Sequence, residues 1–193
     1  MSNKVLTTLL VTLLLCAATA SAQQNHRPVY QPDFFPFSVW YSGGKARAPM
    51  LSELTPASRE EWRRDLANIR KLGFNTVRTW VEWSSVERRR GEYQLDNLKL
   101  LLELAQEAGL RVFIQVYVDS APDWVGGAYP NALFVAQDGT RIPSQAAPGY
   151  CTDNPEIREL VHNLYTAIAR VAVQYPNFYG WDLWSEPHII NWA

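Results

Sequence analysis

The run Arg111–Val118, RVFIQVYV, constrains the fold more tightly than any other stretch of the chain. A strand with one wet face alternates polar and apolar residues. This one is almost continuously apolar, as expected of a parallel strand covered on both sides. Just before it, Asp96 opens a segment carrying Leu98, Leu101, Leu102 and Ala105 at helical spacing, and Gly109 closes that segment. The same helix-then-strand unit recurs. Thr55-Pro56 leads into Trp62, Leu66, Ile69 and Leu72, stopped by Gly73, and the β-branched run Asn75–Trp80 follows. Pro155 starts a third helix through Leu160, Leu164, Ile168 and Val171 to about Tyr175, before a strand at Phe178–Trp184. Phe35–Tyr41, ended by Ser42-Gly43-Gly44, reads as the first strand.

Four strands with three intervening helices predict an α/β fold with a parallel sheet. Periodicity alone leaves half a barrel and a small doubly wound sheet both open. No Gly-rich fingerprint stands between the first strand and helix, which counts against dinucleotide binding. Residues 119–154 form a connection too long for a simple link, and such loops are usually functional.

Residues 1–22 read as a signal peptide: Lys4, the apolar stretch Val5–Ala18, and Ala20-Ser21-Ala22 as the cleavage site. A mature chain starting at Gln23, secreted or periplasmic and with no membrane attachment after cleavage, is therefore expected. Cys16 as a lipidated cysteine is the weaker alternative, because Leu15 precedes it. Cleavage leaves Cys151 alone, so no disulfide forms within the mature chain. Net charge is −1 with no basic stripe, which disfavours nucleic acid as a partner. Eight Trp and nine Tyr can fill a core or floor sugar subsites.

Trp181-Asp182-Leu183-Trp184-Ser185-Glu186-Pro187 resembles the end of the fourth strand in the large clan of retaining glycoside hydrolases built on the (β/α)₈ barrel. Several segments narrow the likeness to glycoside hydrolase family 42, the β-galactosidases. They are Gly73–Arg78, Glu82-Trp83-Ser84, Gly91-Glu92-Tyr93, Ala121–Trp124, Tyr129-Pro130, Val135–Gly139, Tyr150-Cys151 and Asn154-Pro155. The resemblance covers roughly Phe35 to Pro187, in order. It implies an incomplete TIM barrel, about its first four βα units, with residues 23–193 as the N-terminal half of a catalytic domain.

The resemblance further implies that Glu186 is the catalytic acid/base. A retaining glycosidase places two carboxyl groups about 5–5.5 Å apart, one to protonate the leaving oxygen and one to attack the anomeric carbon. Arg78 would hold the nucleophile, which this clan carries on a seventh strand, so its partner is expected outside the chain. A salt bridge within the barrel, with Glu82 among others, is the plainer reading. Ser185 stands where the family has Asn, so contact with the sugar 2-hydroxyl would be weaker or bridged by water. Trp80, Trp83, Trp124 and Trp184 are candidate sugar platforms, with core packing as the alternative for each. Tyr117, Asp119 and Glu82 are candidate polar contacts, and His188 lines the cleft or sits on a surface loop. His162 reads as structural. Some relatives carry zinc near Cys151, but one cysteine without histidines at ligand spacing predicts a packed thiol and no metal. No cofactor is expected.

The expected function is hydrolysis of terminal β-galactosides by a chain that lacks the nucleophile half and is inactive alone. Its partner would be a β-galactoside or related oligosaccharide. A mannanase- or cellulase-like member of the clan and a non-catalytic carbohydrate-binding half-barrel are the alternatives. Open barrel edges would also allow self-association.

Overall fold

The computed structural model describes residues 34–44 and 50–183. Strands β1 (Ser38–Trp40), β2 (Thr76–Glu82), β3 (Arg111–Tyr117) and β4 (Phe178–Asp182) form one sheet in sequential order, and every neighbouring pair is parallel. Helices α1 (Ser58–Lys71), α3 (Asp96–Glu107) and α5 (Pro155–Ala172) join them, with the single turn α2 (Trp83–Val86) directly after β2. Sequential parallel order is the arrangement of consecutive βα units around a barrel. It differs from the doubly wound sheet, in which strand order reverses.

Side-chain alternation sorts the sheet into two faces. Val77, Thr79, Val81, Val112, Ile114 and Val116 are buried on the outer face. The apolar residues among them share one core with Leu66 of α1, Leu98, Leu101 and Leu102 of α3, and Leu164 and Ile168 of α5. Arg78, Trp80, Glu82, Phe113, Gln115 and Tyr117 occupy the inner face. The central strands are thus apolar outside and mixed inside.

Helix ends follow the local chemistry. Asn154 caps α5 by accepting from Ile157 N at 3.1 Å, with Pro155 in the first turn. Gly109 ends α3 at φ 70°, where its N–H reaches Gln106 O at 3.0 Å and Leu110 N reaches Ala105 O at 2.8 Å. Strand β2 runs two residues past the expected Trp80, because Thr79–Glu82 stays paired with Ile114–Tyr117. Strand β1 is shorter than Phe35–Tyr41, pairing only Ser38–Trp40 with Thr76–Arg78.

The long connection after β3 has structure of its own. Helix α4 (Asp123–Ala128) and a 3₁₀ turn at Pro130–Ala132 precede bridges Leu133↔Tyr150 and Val135↔Arg141. Ser144 fastens it to the strand exit: Ala121 N donates to Ser144 O at 2.9 Å, and Ser144 Oγ to Pro122 O at 3.0 Å. A Cβ on Gly149 would lie 2.4 Å from Pro143 O, so this close backbone approach requires glycine.

Asn177, buried just before β4, donates from Nδ2 to Leu102 O at 3.0 Å and Leu110 O at 3.3 Å. It fixes the entry of β4 against α3 and the start of β3. Asn177→Ala should cost about 1–3 kcal/mol by stranding those buried carbonyls, read as a lower midpoint in urea unfolding.

Candidate active site at the carboxyl ends of the strands

Arg78 projects from the middle of β2 onto the inner face, where a cation needs a partner. It has one in the chain. Its guanidinium pairs with Asp182 at the end of β4, and Nη2 donates to Gln115 Oε1 of β3 at 3.3 Å. The guanidinium also lies over the Trp40 ring of β1, 4.7 Å from its centroid. One residue therefore links all four strands. This is the plainer of the two expectations for Arg78, a salt bridge within the barrel. The partner is Asp182 and not Glu82, which is four residues further along the same strand, about 13 Å at strand rise. Glu82 Oε2 instead accepts from Ser85 Oγ at 2.5 Å.

Above this layer, Trp80 stacks on Tyr117 at 5.1 Å and 12°, and tilts against Trp40 at 5.2 Å and 54°. Trp80 is only 8% exposed, so its faces are occupied by aromatic neighbours, and its buried Nε1–H has no hydrogen-bond partner among the described residues. The more open ring on this face is Trp40, 45% exposed, which the aromatic composition of the first strand did not single out.

Trp83 is not a platform. It is completely buried, packed edge-on against Trp124 and Tyr150, and its Nε1 donates to Glu87 Oε2 at 2.6 Å. The cause is local: β2 gives way to α2 at Trp83, so this side chain leaves the alternation of the strand. Trp124 is half-buried in α4, with Nε1 donating to Glu87 O at 2.9 Å. Glu87, the residue behind both contacts, was hidden in a run that reads as a charged loop. Its carboxylate is buried and also accepts from Gly91 N at 2.8 Å and from the Tyr93 hydroxyl. The i, i+4 spacing to Trp83 was the available signal.

Past the end of β3, burial raises the Asp119 carboxyl above the usual range. Burial likewise raises the Tyr117 hydroxyl, and the charges of Asp119 and Glu82 add to it. The Tyr150 hydroxyl donates to Val118 O and is held far up by burial, with Asp119 contributing. Tyr117, Asp119 and Glu82 thus meet at the carboxyl end of the sheet, where barrel enzymes build active sites. Trp184, Ser185, Glu186 and His188 lie outside the described residues. Cys151 is a half-buried free thiol, and His162 is exposed on α5. Among the described residues no three His, Cys, Asp or Glu side chains converge as a metal site would require.

Residues 55–191 match the family model for β-galactosidases of glycoside hydrolase family 42. The chain belongs to that family. β-Galactosidase LacZ of Heyndrickxia coagulans is 23% identical over 126 residues, which is 65% of this chain and 19% of that protein. β-Galactosidase BbgII of Bifidobacterium bifidum is 26% identical over 149 residues, 77% of this chain and 21% of its own. Among solved structures, the β-galactosidase of the psychrophile Marinomonas ef1 superposes with TM-score 0.59 at 25% identity, covering 67% of this chain and 20% of that one. The chain therefore spans about a fifth of the length of these family 42 relatives, and its four parallel strands with the helices between them correspond to part of their barrel.

Two outcomes follow from this family 42 site. Asp182→Ala should destabilise the protein by about 1–3 kcal/mol, less than a fully buried pair because both partners remain partly exposed. Asp182→Asn, which keeps an acceptor for Arg78, should cost less in the same urea titration. The second concerns pH. Because the folded pKa of Asp119 is raised, the unfolded chain ionises first, and stability falls as pH rises through the carboxylate range. Asp119→Asn should therefore gain stability over wild type between about pH 4 and 7, and the gain should vanish below about pH 3.5.

Proposed function

We propose that this chain supplies the acid/base half of a retaining β-galactosidase site, with Glu186 as the proton donor to the leaving oxygen. The family 42 match across residues 55–191, which includes Glu186, carries the reading. Strand β4 supports it: Asp182 closes the strand beneath the inner face, and Glu186 follows four residues later in the sequence. A carboxyl group beyond the strand end, beside Tyr117, Asp119 and Glu82, would share a site rich in negative charge. Such a setting raises a carboxyl pKa and keeps the acid protonated near neutral pH.

The attacking carboxylate would come from a later unit of the barrel than the four described strands. Arg78 would help hold that carboxylate, in addition to its pair with Asp182. It holds Asp182, and through it the end of β4 from which Glu186 departs. Trp40 and Tyr117 would flank the sugar, with Trp80 packed between them as support and Ser185 in place of the family's Asn at the 2-hydroxyl. The substrate is a terminal β-galactoside or a related oligosaccharide. The signal-like pattern of residues 1–22 supports export ahead of this activity.

Residues 23–193 alone should not hydrolyse aryl β-galactosides. In a complete barrel containing this half, Glu186→Gln should lower kcat/KM for an alkyl galactoside by about 10²–10⁴-fold, the usual worth of a positioned general acid. Turnover by residues 23–193 alone that disappears in Glu186→Gln would overturn the need for a second half. Unchanged activity of Glu186→Gln in the complete barrel would overturn its role as acid.

A further inference from the structure

The connection from β2 to α3 carries three consecutive arginines, Arg88-Arg89-Arg90. Two of them are neutralised locally. Arg88 pairs with Glu53, and Arg89 faces Glu92 at 4.0 Å. Arg90 differs. It pairs with no carboxylate among the described residues, and Nη2 donates to Tyr129 Oη at 2.8 Å. Its guanidinium stands 5.6 Å from the Tyr129 ring centroid and 5.9 Å from that of Trp124. Arg141, on the adjoining Val135↔Arg141 bridge, donates to Pro130 O and likewise meets no carboxylate among the described residues. Two exposed guanidinium groups are therefore anchored on the adjacent residues Tyr129 and Pro130.

The support beneath them is rigid. Trp124 is fixed by its bond to Glu87 O and by its edge contact with buried Trp83. The Glu87 carboxylate is engaged by Trp83, Gly91 and Tyr93, and Asp138 accepts from Thr140 N at 2.9 Å. A guanidinium offers five donors in a planar fork, and among the described residues Arg90 and Arg141 use few of theirs. That fork matches a carboxylate or sulfate oxygen pair, and a fixed guanidinium loses less entropy on binding than a free one. Both loops leave the carboxyl ends of strands, β2 and β3, on the side of the candidate active site. The half-buried rings of Trp124 and Tyr129 lie beneath the Arg90 guanidinium and hold it in place. A polyanion such as nucleic acid would need a longer track of unpaired cations, and Arg88 and Arg89 are already paired.

We propose that Arg90 and Arg141 form an outlying subsite for an anionic substituent, a carboxylate or a sulfate ester, carried on a glycan. This rests on the reading of the chain as part of a glycoside hydrolase. The substrate class becomes an acidic galactan rather than a neutral disaccharide.

Calorimetric titration of the full chain at low ionic strength tests it with four probes: neutral galactotriose, its 6-O-sulfated form, trigalacturonic acid and inorganic sulfate. Both acidic trisaccharides should bind at least tenfold more tightly than the neutral one, and added salt should erase the difference. Arg90→Ala with Arg141→Ala should remove the preference, whereas Arg89→Ala should retain it. Should the double variant fail to fold, Arg90→Lys, which keeps the charge without the fork, should still lower affinity for the acidic probes at an unchanged melting temperature. Equal affinity for neutral and acidic trisaccharides would overturn the subsite while leaving the glycosidase reading intact. Inorganic sulfate binding as tightly as the acidic sugars would show an anion site without glycan recognition and would also overturn it. Absence of binding by all three sugars would count against both.

Discussion

A charged side chain inside a sheet must be answered by the strands around it, and much of the inner face of this protein follows from how Arg78 is answered. Its guanidinium reaches past β3 to Asp182 on β4, takes Gln115 on the way, and lies against Trp40 of β1. Hydrogen bonds of the parallel ladder fix neighbouring strands pairwise. This contact acts across all four at once. Among the described residues the outer face relies on no such device, because Val77, Val81, Val112, Ile114 and Val116 join the apolar stripes of three helices in one core. The two coats have different consequences. Apolar packing supplies most of the favourable free energy and tolerates conservative exchange. The ion pair supplies direction, since removing either member leaves the other partly buried and uncompensated.

The layer above shows the same division between support and surface. Trp80 and Tyr117 stack closely enough that neither presents two free faces, while Trp40 remains half open at the first strand. Tryptophans that look equivalent in the sequence thus hold different positions. Trp83 is core, Trp124 supports a loop, Trp80 is a covered member of the inner face, and Trp40 is accessible.

Architecture was legible in the sequence wherever periodicity and stop signals agreed. Gly73 and Gly109 ended helices where expected, Pro155 began one, and the apolar run at Arg111 became a central strand. Sequential strand order was not legible, since half a barrel and a doubly wound sheet share the same periodic pattern. Resemblance to the glycosidase clan resolved it before any geometry did. At the site, the longer β2 of the structure brings Trp80, Glu82 and Tyr117 onto one face, a grouping that the sequence had not drawn, and partner choice stayed hidden too. Arg78 and Asp182 are far apart in sequence, and only the stagger of β2, β3 and β4 reveals that they meet. Glu87 was obscured for the opposite reason: its partners are close in sequence, within a segment whose charges suggest a solvated loop.

Glu87 also bears on how these loops can change. Its carboxylate ties Trp83, Gly91 and Tyr93 together, its carbonyl receives Trp124 from the next connection, and Trp83 touches Tyr150 further along that connection. Two surface excursions that leave different strands therefore share a single keystone. Grafting either one from a relative would import half of an interlocked pair, so new specificity on this scaffold has to be introduced in both connections together.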